Sequence, residues 1–335
     1  MWYNGKMAKK IAIIGVGGKT GTVFAFELKK AAEVLGVGKE KEIEMINQKN
    51  FYIDRDGRLE LFEGKVVKDT EFKEDFLPDF IFLATKNPVG PPIKFYYSKF
   101  KKAKKIPALL ISQNGFSPLE DAKNALGEIF GKDFEKVKIV RLVLFNPIQK
   151  KEIKNKIFIS YSSPIRIAPA SGPEGIEDLV EIFKKSHFEF EVFPEKEIKN
   201  LEFSKLFLNL IGMASASLGF SVKDGFSNSE IFKEEIEVLK EYVRVVKATG
   251  GKFLNFSHYP VKFLAHLIEL IPTNLFLVFE PLLVKIVSQK REEKVKDLDE
   301  IEFYNGAVVK LGKKLEIKTP VNERIYKRVL EKLNR

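Results

Sequence analysis

The sequence contains no cysteine. Disulfide staples, thiolate zinc sites and a cysteine nucleophile are therefore excluded. Histidine is almost as scarce. The three present, His187, His258 and His266, stand at no metal-ligand spacing from one another, and packing or surface roles account for them. Long apolar runs are also missing. The longest, Asn274 to Val287, is broken by Glu280 and Pro281 and is too short to span a bilayer. The opening residues carry an apolar run of about four residues that turns at once into glycines, which is not a secretory signal. The expectation is a cytoplasmic chain with no membrane partner.

What is present fits a soluble globular protein of two domains. The chain has 335 residues, 44% of them hydrophobic and 31% charged, which is more than one typical core accommodates and far from a disordered composition. The net charge of +11 admits a nucleic-acid reading. Lys99, Lys101, Lys102, Lys104 and Lys105, set among Phe95, Tyr96, Tyr97 and Phe100, would be its focus. The same run fits an amphipathic helix with a solvated face, so no nucleic-acid partner is expected. Part of the positive excess would attract an anionic cofactor and substrate.

The first half alternates strand-like and helix-like segments. Lys10 to Gly17 reads as a buried parallel strand and Thr20 to Leu35 as a helix. Glu42 to Asn47 reads as a second strand, and Asp56-Gly57 as the turn of a hairpin within Asp54 to Lys68. Asp79 to Thr85, Pro107 to Asn114, Val137 to Phe145, Lys156 to Ser162, Ile165 to Ala170 and His187 to Phe193 read as further strands. Ile93 to Lys104 and Gly175 to Lys185 read as helices. That alternation predicts a doubly wound, Rossmann-like sheet. Beyond Pro194 the texture is helical: Ile198 to Leu218, Ser229 to Thr249, Val261 to Leu270, Asn274 to Ser288, Glu300 to Lys313 and Val321 to Leu333. Glycines and prolines fall between these segments. The expected domains are residues 1–196 and 197–335.

Gly15-Val16-Gly17-Gly18-Lys19-Thr20-Gly21 lies between the first strand and the first helix. A dinucleotide site needs this arrangement, because glycines permit the tight turn and close backbone approach, and the helix N-terminus supplies free N–H groups. In the G-x-G-x-x-G spacing Thr20 takes the third position. The second strand as read ends Ile46-Asn47-Gln48-Lys49, with no acid for a ribose. Lys49, or Asn47 or Gln48 beside it, would then meet a 2′-phosphate, which favours NADPH while leaving NADH open; the alternative is that they are ordinary loop residues.

In the helical half, Lys205 and Asn209 are four residues apart and share a helix face. They sit in an otherwise apolar stretch, where a lysine either snorkels to the surface or serves a cleft. Asp299 and Glu302 have the spacing of a capping box. Ser288 and Glu300 are left over.

Five features in order make the chain resemble the ketopantoate reductase family over nearly its whole length. They are the glycine turn; a strand ending Thr85-Lys86; a strand ending Gln113-Asn114-Gly115; Lys205-x-x-x-Asn209; and Ser288 twelve residues before Glu300 in Glu-Ile-(acid)-Phe-x-Asn-Gly. The resemblance implies a Rossmann domain joined to an all-α C-terminal domain of the 6-phosphogluconate dehydrogenase C-terminal-like kind, with the active site in the cleft between them, in a homodimer. It implies reduction of 2-dehydropantoate to pantoate by a reduced nicotinamide, on the way to pantothenate and coenzyme A. Lys205 would be the general acid, since hydride attack on a ketone builds alkoxide charge that an ammonium stabilises and protonates. Glu300 would orient Lys205 or bond the substrate. Asn209 and Ser288 would hold the substrate, and Lys86 and Asn114 would lie where cofactor and substrate meet. Gly15, Gly17, Gly18, Lys19, Thr20 and Lys49, with Lys86, Asn114 and Glu300, make up the expected cofactor set.

The chain departs from the family at Met213, where many members carry a second asparagine one turn beyond the first. Arg141 to Ala170 lacks the family's Pro-Gly and His-x-Gly pattern, and the loop Lys86 to Pro92 is rich in proline. Reduction of another 2-keto or imino acid on the same scaffold is one alternative. A non-catalytic nucleotide-binding or basic interaction protein is another.

Overall fold

A computed structural model describes residues 2–3, 6–172, 176–278 and 295–333. The chain divides into two compact units: residues 1–113 with 117–198, and residues 114–116 with 199–335.

After a short hairpin of β1 (Trp2–Tyr3) and β2 (Lys6–Met7), the first unit is built on a nine-stranded sheet. Its strands are β3 (Lys10–Ile14), β4 (Glu33–Gly38), β7 (Lys65–Lys68), β8 (Phe80–Leu83), β9 (Ala108–Ile111), β10 (Ile139–Leu144), β13 (Ile165–Ser171), β14 (Phe188–Phe190) and β15 (Phe193–Pro194). The run β7-β4-β3-β8-β9-β10 is parallel throughout, the strand order of a doubly wound dinucleotide fold. The sheet continues with β13, antiparallel to β10. Alternate side chains feed opposite cores. Ile11, Ile13, Phe82 and Leu110 pack on one face, while Ala12, Ile14, Leu83 and Ile111 pack on the other. Each fully buried large side chain contributes roughly 2 kcal/mol. Helices α1 (Lys19–Leu28), α2 (Glu40–Asn47), α3 (Gly90–Tyr97), α4 (Pro118–Phe130) and α5 (Glu177–Lys184) join the strands.

A second sheet in the same unit has the order β11 (Gln149–Ile153), β12 (Lys156–Tyr161), β5 (Phe51–Arg55) and β6 (Arg58–Leu61). Asp56 and Gly57, both at positive φ, turn the hairpin between β5 and β6, as the sequence suggests.

Two readings are corrected here. The helix placed on Thr20 to Leu35 ends at Leu28, and the second strand is Glu33–Gly38 rather than Glu42 to Asn47. Glu42 to Asn47 belongs to α2, an amphipathic helix that buries Ile43 and Ile46. Gly36 lies inside β4 because a Cβ there would come within 2.7 Å of the Val16 side chain.

The second unit is helical. It comprises α6 (Ile198–Leu210), α7 (Met213–Ser217), α8 (Val222–Phe226), α9 (Ser229–Ala248), α10 (Val261–Leu270), α11 (Thr273–Val278), α12 (Asn305–Lys314) and α13 (Pro320–Leu333). Helix α9 runs through its centre with Ile231, Phe232, Val238, Tyr242 and Val245 buried. Asn228 caps it by accepting from the N–H groups of Glu230 and Ile231. No helix of the described residues is long and apolar enough to cross a membrane.

Candidate active site

The glycine turn closes β3 onto α1. Gly15 has φ of +88°, and a Cβ there would stand 3.2 Å from the backbone of Ala84. Gly18 is the N-cap of α1, no side chain caps that end, and the first turn holds no acid. Its N–H groups and positive dipole end are thus available to an anion. The close-packing glycine is Gly21. A Cβ there would lie 2.2 Å from the Gly15 carbonyl oxygen. The placement of Thr20 in that role is corrected: Gly18 and Gly21 stand three apart, one residue later than the reading from Gly15. The buried Thr22 fixes the turn by donating to Val16 O at 2.6 Å and Gly18 O at 2.8 Å. Lys19 is exposed at the first helical position.

Lys49 does not end the second strand. It follows α2 with φ of +59° and is exposed. The residue after β4 is Lys39, exposed at the N-cap of α2. Lys86 lies just past the end of β8, exposed. Beside it, the Thr85 hydroxyl is buried with no hydrogen-bond partner among the described residues. An orphaned hydroxyl, uncapped N–H groups and glycines where a Cβ has no room together suit a bound dinucleotide.

The helical unit carries a polar cluster. Along Leu201 to Leu210 every residue is buried except Lys205 and Asn209, which are half-buried. The face they share is the one that α6 opens. Asn209 Nδ2 donates to Asn114 Oδ1 at 3.1 Å. Asn114 Nδ2 donates to Glu300 Oε2 at 2.8 Å and to the Tyr304 hydroxyl at 3.1 Å. That hydroxyl donates in turn to Glu300 Oε2 at 2.8 Å. Burial, then the neighbouring Glu300 carboxylate, holds the Tyr304 phenol well above its ordinary pKa, so it stays a donor. Asn114 thereby helps to fix the Glu300 carboxylate.

The segment Asn114–Phe116 is part of this unit. Gly115 adopts φ of +101°, and a Cβ there would stand 3.3 Å from that of Phe303. Phe116 meets the Phe203 ring edge-on at 5.1 Å. In the first unit, Gln113 donates to Leu83 O and Thr85 O, both at 2.8 Å. The buried Arg141 donates to Gln113 O and Ile111 O.

No sequence signal marks Tyr304 or Lys296. Tyr304 sits inside the Glu-Ile-(acid)-Phe-x-Asn-Gly motif at the unspecified position. Lys296 donates to the Asn209 and Ile211 carbonyls and lies over the Tyr304 ring at 5.6 Å, satisfying the last carbonyls of α6. The Asn-Gly of the motif is structural. Asn305 bonds Asn322 at 2.9 Å, and a Cβ on Gly306 would press on Tyr326.

The capping box drawn at Asp299 and Glu302 is not formed. Residues Ile301–Phe303 make a short 3-10 turn whose N-cap is Glu300, and the Glu302 carboxylate accepts from the Tyr326 hydroxyl. Met213 starts a new helix after left-handed Gly212 and is fully buried, so it does not continue the Lys205–Asn209 face. Ser288 lies outside the described residues.

Two family models match, Ketopantoate reductase PanE/ApbA over residues 11–155 and its C-terminal counterpart over residues 197–332. No curated protein matches the sequence. Among solved structures, the chain is similar to a PanE/ApbA family ketopantoate reductase from Ralstonia eutropha JMP134, with TM-score 0.72 and 15% identity over 96% of this chain and 97% of that one. A D-mandelate dehydrogenase bound to NADH and anilino(oxo)acetate gives TM-score 0.67 and 17% identity over 96% and 98%. A dimeric ketopantoate reductase from Staphylococcus aureus gives 0.61 and 18% over 96% and 98%. At such identities these likenesses establish the shared fold. With both of its halves matched by the family's models, the chain belongs to the ketopantoate reductase PanE/ApbA family of nicotinamide-dependent oxidoreductases.

Proposed function

We propose that this chain reduces 2-dehydropantoate to pantoate with NADPH. The observation that carries the reading is the half-buried face that Lys205 and Asn209 share on α6, where Asn209 bonds Asn114, and Asn114 in turn bonds Glu300 and Tyr304. When bound, the reduced nicotinamide supplies hydride to the keto carbon. Lys205 donates the proton that the developing alkoxide requires, and its ammonium charge stabilises that oxygen as it forms. Glu300, held by one carboxylate oxygen, orients Lys205 and the substrate. Asn209 and Ser288 bind the substrate's polar groups. Gly15, Gly17, Gly18, Lys19 and Thr20 would hold the dinucleotide's phosphates, with Lys86 at the end of β8.

Lys39, which follows the second strand where an acid would favour a ribose hydroxyl, supports the preference for NADPH. Its test is the dissociation constant of each cofactor for Lys39→Ala, with NADPH weakened and NADH unchanged. A homodimer belongs to the same reading, and light scattering at working concentration checks it.

Reduction of a different 2-keto acid is the second reading. Met213, which stands where many family members carry a second asparagine, favours it. A panel of 2-keto acids separates the two.

A further inference from the structure

The second sheet of the first unit packs on α1, where Tyr161 and Arg55 bond Glu27, and one of its side chains also reaches the glycine turn. Lys150, on the edge strand β11, passes over the Phe51 ring at 5.6 Å and donates to the Gly17 carbonyl oxygen at 2.7 Å. In sequence the two residues are 133 apart. Among the described residues no carboxylate pairs with the Lys150 ammonium. Glu42 lies against Gly17 in the space a side chain there would fill.

An uncompensated ammonium at a helix N-terminus adds to the positive end that α1 already presents. The Phe51 ring attracts the ammonium and holds it over the turn, where an arriving anion would meet it. We propose that Lys150 is a phosphate-binding residue of the dinucleotide site, delivered from the second sheet. This rests on the reading of the first unit as a nicotinamide-dinucleotide site. Lysine suits the role as a point charge that meets a phosphate without a fixed geometry. The β11 strand is thereby part of the cofactor site, although the phosphate-binding motif is confined to residues 15–21.

The test is binding, measured by the fluorescence of the reduced nicotinamide and by calorimetry. NADPH, NADH and adenosine are titrated into the full-length protein, Lys150→Met and Lys150→Arg, at about 50 and about 300 mM salt. Lys150→Met is expected to weaken the dinucleotides about tenfold at low salt and to flatten the salt dependence, with adenosine unaffected and Lys150→Arg close to the parent. Equal losses for NADPH and NADH assign Lys150 to the pyrophosphate, and a loss for NADPH alone assigns it to the 2′-phosphate. Parent-like binding by Lys150→Met overturns the proposal. So does a loss that extends to adenosine and keeps the parent's salt dependence, since that is the mark of a collapsed turn. If the parent protein binds neither dinucleotide, the functional reading itself has failed.

Discussion

Asn114 and Glu300 are 186 residues apart in sequence and 2.8 Å apart through one hydrogen bond. The Tyr304 hydroxyl donates to the same Glu300 oxygen, also at 2.8 Å. One carboxylate oxygen is thus held twice, and a hydrogen bond to a charged group is worth roughly 1.5–3 kcal/mol.

Tyr304→Phe removes one of those bonds while keeping the ring in place beside Lys296. A kcat about tenfold lower with little change in cofactor affinity is expected. Combined with Glu300→Gln the losses are non-additive, because Tyr304 acts through Glu300. Strictly additive losses in the double variant would separate the two residues.

Lys205→Ala is expected to lose about 10²-fold or more in kcat and to bind cofactor like the parent. Steady-state kinetics together with a thermal-shift titration of NADPH check both halves. A variant with near-normal kcat removes Lys205 from the chemistry.

Gly21→Ala places a methyl group 2.2 Å from the Gly15 carbonyl oxygen. It is expected to cost about 1–3 kcal/mol of stability and to abolish dinucleotide binding. Thr20→Ala is expected to stay within about 0.5 kcal/mol. Denaturant unfolding and cofactor titration compare them, and the reverse order would restore Thr20 as the packing position.

Glu27 supplies a pH dependence. Its side chain is fully buried and accepts from Lys30 and the Tyr161 hydroxyl, with Arg55 Nη1 at 3.3 Å. Burial pushes its pKa up, but the Lys30 and Tyr161 bonds outweigh it, so the net shift is below the ordinary 4.5. The unfolded chain therefore takes up this proton first as pH falls. The contribution to stability is complete above the ordinary value and is lost as pH drops through the lowered folded value. Glu27→Gln is expected to flatten that part of the acid limb and to destabilise by roughly 3 kcal/mol at neutral pH. Urea melts across pH 3 to 7 (about one unit apart) read it out, and an unchanged acid limb contradicts it.

Much of this was legible in sequence, and the failures have physical causes. The helical half was delimited by its breakers, and Lys205 and Asn209 by their spacing on α6. Strand β4 was hidden because Gly36 and Gly38 interrupt its apolar pattern, and Gly36 is there to admit Val16. Helix α2 passed for a strand because Glu42-Ile43-Glu44-Met45 alternates, although Ile43 and Ile46 are buried at helical spacing. The residue that follows the second strand is therefore Lys39 and not Lys49. Tyr304 and Lys150 were invisible for another reason: their partners lie far away in the chain or at an unmarked position, and only the folded chain brings them together.

The most direct check is absorbance of the reduced nicotinamide with purified protein and ketopantoate, using NADPH and NADH in parallel. Rapid, ketopantoate-dependent oxidation, faster with NADPH, is the expected result. Protein that binds NADPH but oxidises it with neither ketopantoate nor any other 2-keto acid would contradict the assignment of Lys205 and Glu300 to keto-acid reduction.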